Sequence, residues 1–118
     1  MSRSFENLDV WKRACTLSVN MYKELDSCKN YSLKDQMLRS ALSIPSNIAE
    51  GSERDSDPDF CRFLNIAKGS VAELRTQLYI SQKIKLLSED KIKDLIEETR
   101  IIMRMIQSLI NSELANFW

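Results

Sequence analysis

Ser40-Ala41-Leu42-Ser43-Ile44-Pro45-Ser46-Asn47-Ile48-Ala49-Glu50-Gly51 is the stretch whose reading decides the fold. Leu33, Met37, Ala41, Ile44 and Ile48 recur at three- and four-residue steps, the spacing of one helix face. Leu38, Leu42, Pro45 and Ala49 form a second apolar line beside the first. At ~100° per residue the two lines cover roughly half the helix circumference. That is wider than one bundle core asks for, so part of it is expected to meet another chain. Opposite lies a polar line of Gln36, Ser40, Ser43, Asn47 and Glu50, with Arg39 beside it and Arg54 just beyond. A solvated helix face favours Lys, Glu and Gln over Ser and Asn. The line reads either as ordinary solvated surface or as a polar seam against a neighbouring subunit or ligand. In the second reading Asn47 and Glu50 are central.

Pro45 is the anomaly of this helix. Inside a helix, proline removes one hydrogen bond and clashes with the preceding turn, at ~3 kcal/mol. A kink near Ala41–Ser46 is predicted, or a break into two helices, with Ser43 and Ser46 serving the freed backbone groups. Gly51 is expected to end the helix just past its C-cap, and Ser32 with Asp35 to open it as a capping box.

Outward from this stretch the pattern stays helical. Trp11, Cys15, Ser18, Tyr22 and Leu25 give a first helix over about 8–26. The second covers about 33–50. Asp57 as cap and Pro58 at the first helical position announce a third over about 58–84. Its inner line is Phe60, Phe63, Leu64, Ala67, Val71, Leu74, Leu78 and Ser81. Mid-helix Gly69 costs ~1 kcal/mol against alanine and calls for the close approach of another helix. The fourth helix, about 89–115, follows the cap Ser88, and its apolar line runs from Ile92 to Leu114. Phe117 and Trp118 are expected to pack on a bundle or subunit end. The whole predicts one all-α domain over 1–118: an antiparallel up-down four-helix bundle, kinked in helix 2 near Pro45.

Composition narrows the function classes. The chain has 118 residues, with 17 basic and 17 acidic side chains and net charge +0. Residues 1–31 carry five bases and four acids, and 85–118 carry five and six. No segment is a basic stripe of the kind that neutralises many phosphates. The absence of histidine excludes Glu-x-x-His di-iron sites and Ser–His or Cys–His nucleophiles. Cys15, Cys28 and Cys61 lack zinc spacing and read as free thiols in a reducing compartment. Glu50 and Glu53, three apart, leave one weak candidate for a carboxylate-metal hydrolase. No apolar run approaches the ~20 residues of a membrane span, and the first residues form no apolar leader. The expectation is a cytoplasmic, non-catalytic protein with no cofactor, no metal and no membrane association.

One resemblance goes further. Phe5-x-x-Leu8-x-Val10-Trp11-x-x-Ala14, Leu33-x-x-Gln36 and Ser43-Ile44-Pro45-Ser46-Asn47-Ile48-Ala49-Glu50-Gly51-x-x-Arg54 occur in that order. Phe63-Leu64-x-Ile66-Ala67-x-Gly69-Ser70-x-x-Glu73-Leu74-x-x-Gln77-Leu78 completes the set. The pattern resembles the four helix bundle protein family, which includes proteins encoded in intervening sequences of bacterial 23S rRNA genes. It covers about 5–87; the fourth helix matches in character alone. The family is similar to the accessory variability protein of diversity-generating retroelements. The resemblance implies an up-down bundle assembled as a homopentameric barrel, beside RNA or DNA machinery, with no established enzymatic activity. The candidate interface is then Leu38, Leu42 and Ala49 with Arg39, Ser43, Asn47, Glu50 and Arg54. A second possibility is a nucleic-acid-binding ring that uses Arg39, Arg54, Lys68 and Arg75.

Overall fold

A computed structural model describes residues 4–117. A 3-10 turn at Phe5–Asn7 leads into four helices: α1 (Asp9–Glu24), α2 (Tyr31–Ser52), α3 (Asp57–Lys83) and α4 (Glu89–Phe117). Each helix packs on the next, and α1 also meets α4, which closes the four-helix bundle. The α2–α3 and α3–α4 contacts are broad, while α1–α4 is the thinnest. Along α2 and α3 the partners run in opposite order. Met37 meets Ser81, Ser40 meets Glu73, Ser43 meets Ser70, and Gly51 meets Phe60 and Phe63.

The inner line of α3 is buried at every expected position from Phe60 to Ser81. Met37, Ala41, Ile44 and Ile48 of α2 face it, with Ile92, Ile96, Ile102, Ile106 and Ile110 of α4 on the other side. α1 sits differently from its expected orientation. Its buried line is Val10, Ala14, Leu17, Ser18, Met21 and Leu25, and Tyr22 is exposed. Two apolar lines overlap on this helix, and Ala14, Leu17 and Met21 fit the core side more closely. Trp11 instead meets the Phe5 ring edge-on, with centroids 5.0 Å apart.

Three helix ends also differ. Asn30, not Ser32, caps α2: its Oδ1 accepts the Leu33 N–H at 3.2 Å, and asparagine caps as well as serine. Ser56, not Asp57, caps α3 through the Asp59 N–H, leaving Pro58 in the first turn where its missing donor is harmless. Gly51 lies inside α2 without a positive φ. The cap of α4 is Ser88, as expected. α3 closes in a Schellman turn, with Leu86 N–H on Ser81 O at 2.9 Å and Lys85 N–H on Gln82 O at 3.2 Å. Lys85 takes the left-handed position there, at φ 56°. The packing expected of Phe117 and Trp118 lies outside the described side chains.

Pro45 is buried, and α2 continues through it unbroken, so no split into two helices occurs. A proline at 45 leaves the Ala41 carbonyl without its usual helical donor. Ser18 of α1 supplies the replacement: its Oγ lies 3.1 Å from Ala41 O and 3.2 Å from Ala14 O. The freed group is therefore served across the helix interface, not by Ser43 or Ser46. Ser18→Ala should cost about 1 kcal/mol, the usual penalty for an orphaned buried carbonyl. In a Pro45→Ala background, residue 45 regains its N–H, and the loss should largely vanish. A double-mutant cycle in urea measures the coupling; additive effects would contradict this pairing.

Candidate interaction surfaces

The polar line of α2 turns toward α3 of its own chain. Ser40 is buried and donates to Glu73 Oε1 at 2.6 Å. The hydroxyls of Ser43 and Ser70 share a hydrogen bond at 2.8 Å. Asn47 donates back to Ser43, at 2.8 Å to its carbonyl and 2.9 Å to its Oγ. Elsewhere on α3 the buried Gln77 Oε1 has no partner among the described residues. Small hydroxyl side chains thus let α2 and α3 approach closely while their polar atoms stay paired.

Glu50 and Arg54 stand at the end of this seam. They pair with each other at 3.1 Å, and Arg54 also reaches Asp59 at 3.7 Å. The Arg54 and Arg62 guanidinium groups both lie on the Phe63 ring, 4.6 and 4.5 Å from its centroid. Arg54 is therefore already engaged by acids and an aromatic face. Among the described residues no three His, Cys, Asp or Glu side chains gather as a metal site. All three cysteines are free. Burial pushes the Cys15 thiol up from its ordinary value.

The second apolar line of α2 lies on the other flank, toward α1. Pro45 is buried, Leu38 is half-buried against the core, and Ala49 is half-buried. Leu42 remains 42% exposed. Tyr22 and Val19 of α1 add 49% and 51% exposed side chains. Helical periodicity places Cys15, Ser18 and Tyr22 on the α2-facing flank of α1, and the Ser18–Ala41 contact fixes that flank beside Leu38 and Leu42. Arg39 is exposed on the outer side of α2. Lys68 and Arg75 are remote from it, on the flank of α3 that faces α4. Lys68 Nζ donates to Gln107 Oε1 at 2.5 Å, and Arg75 Nε donates to Thr99 Oγ1 at 3.0 Å. The four arginine and lysine candidates thus fall into three places, of which Lys68 and Arg75 share one.

With this geometry in place, the comparisons with other proteins become informative. Residues 6–108 match the family described as 23S rRNA-intervening sequence protein. The chain belongs to that family. A similar solved structure is the crystal structure, at 1.70 Å resolution, of a protein with unknown function from the S23 ribosomal protein family of Bacteroides thetaiotaomicron VPI-5482. It shares 26% identity at a TM-score of 0.81, covering 86% of this chain and 97% of that one. No curated protein matches. The 23S rRNA-intervening sequence protein match covers α1, α2 and α3 and the first part of α4, as far as residue 108. No helix among the described residues is long and apolar enough to cross a membrane.

The sequence did not single out Ser18, Thr99 or Gln107 as partners. Each acts across a helix interface, and no spacing within one helix signals such a contact.

Proposed function

We propose that this protein is a non-catalytic homo-oligomer, a ring of five protomers, that acts in the cytoplasm by binding other macromolecules. The observation that carries this reading is the apolar face on α1 and α2, where Val19, Tyr22 and Leu42 stand exposed together. Large apolar side chains exposed on two adjacent helices mark an interaction site when they form one patch. A ring needs a second, different face on each protomer. The outer side of α3 offers one. Ile66 and Ile80 are exposed there, and an added Cβ at Gly69 meets nothing within 4 Å. No helix of the same chain accounts for that glycine, and the close approach of a neighbouring protomer does. A role accessory to an RNA- or DNA-linked machine fits the rRNA connection carried in the family's description.

Oligomers melt at temperatures that rise with protomer concentration, whereas monomers do not. Thermal unfolding from about 1 to 100 times the lowest workable concentration should therefore shift the melting temperature upward. A constant midpoint across that range would count against assembly.

A further inference from the structure

The charge that is balanced over the whole chain is not balanced around the bundle. The acid of mid-α3, Glu73, is held in the α2 seam by Ser40. On α4, Glu98 turns to α1, where it binds Arg13 at 2.6 and 3.0 Å. Asp94 lines the same α1–α4 groove. The α3–α4 flank is left with Lys68, Arg75, Lys93, Arg100 and Arg104 against two acids, Glu97 and Glu89, the latter 3.8 Å from Lys93. Glu97 lies 3.5 Å from Arg100 and 3.8 Å from Arg104, and so divides one charge between two.

Lys68 and Arg75 are the decisive pair. Both are half-buried, and among the described residues each is held by neutral acceptors. Lys68 has the Gln107 amide; Arg75 has the Thr99 hydroxyl and, at 3.4 Å, its carbonyl. These bonds fix the cations in place without neutralising them. Elsewhere Arg13, Arg54, Arg62 and Lys91 each meet a carboxylate directly. Preorganised, uncompensated cations lose little freedom when an anion arrives.

We propose that the α3–α4 groove binds the phosphate backbone of a single-stranded nucleic acid. The cations are strung along the helices, not gathered round one point. Lys93 to Arg104 spans about 17 Å and Lys68 to Arg75 about 10 Å at 1.5 Å per residue. That layout fits a chain of anions and not a lone ion. The Gln107 and Asn111 amides, bonded to each other at 3.0 Å, continue the track beyond Arg104, and exposed Tyr79, bonded to Arg100 at 2.8 Å, offers an aromatic face at the rim. A basic track with amides and an aromatic is the layout that holds unpaired strands. The groove is complete within one protomer, so this proposal does not rest on the ring.

Anisotropy of a labelled 20-nucleotide uridine RNA, titrated with the full chain, tests it. Binding is expected at 50 mM salt, with log K falling against log salt at a slope of about −3 for four to five phosphate contacts. The exposed pair Arg100→Gln with Arg104→Gln should weaken binding about tenfold or more and flatten the slope by about 1.4. Lys68→Gln should act in the same direction, and Arg39→Gln should change nothing. Leu42→Glu, on the opposite flank, should bind normally, which separates this proposal from the assembly. No binding at 50 mM salt would overturn the proposal. So would equal loss in Arg39→Gln, or equal affinity for a polyglutamate of the same charge.

Discussion

Gly51→Ala is expected to destabilise the protein by about 1–2 kcal/mol, although alanine is the better helix former. Two effects oppose each other at this position. Replacing a helical glycine returns about 1 kcal/mol through the backbone. Against that, the new Cβ would lie 2.6 Å from Phe63 Cβ, 3.0 Å from Phe60 Cδ1 and 3.3 Å from the Phe60 carbonyl oxygen. The nearest atom is attached directly to a backbone carbon and does not swing away. α2 and α3 must therefore separate at this end, and overpacking of this kind costs about 1–3 kcal/mol or more. The steric term exceeds the helical gain. Urea unfolding followed by circular dichroism measures the difference. A neutral or stabilising result would mean that the two helices are not held this closely.

Leu42→Glu is expected to dissociate the assembly while leaving the protomer folded. Leu42 is exposed in the single chain, so a carboxylate there meets water and costs little. In an interface covered by a neighbour, the same group must be desolvated without a partner. Several kcal/mol lost at about 1.4 kcal/mol per tenfold weakens association by more than about a hundredfold. Leu114→Glu is the control: that side chain is also exposed, but it sits near the end of α4, on neither of the two proposed ring faces. Helical circular dichroism should be unchanged in both variants, and the particle mass should drop in Leu42→Glu alone. A full-sized particle from Leu42→Glu would remove the α1–α2 face from the interface.

The inner surface of the bundle was largely legible in the sequence, because burial follows a helical period that the sequence displays. Phe60 through Ser81 on α3 could be read without error, since a single apolar line runs along that helix. α1 carries two lines, Trp11–Tyr22 and Ala14–Met21. Only contact with α2 and α4 selects between them. Helix ends were harder. Asn30 and Ser56 each compete with a neighbour of similar capping power, and Lys85 fills a left-handed position where no glycine advertises the turn. The polar line of α2 was visible as a line, but its partners Glu73 and Ser70 belong to another helix. The same is true of Ser18 beneath the Pro45 turn. Charge was the least legible feature. Equal totals conceal that Glu73 and Glu98 bond across the α2–α3 and α1–α4 seams while Arg75, Arg100 and Arg104 lie along the α3–α4 one.

Light scattering on the eluting peak of the unmodified protein, at micromolar concentration, is the most direct test of the assembly on which the proposed role depends. A single species of about five times the 13.7 kDa chain mass is expected. A particle of 13.7 kDa across the concentration range would contradict the account.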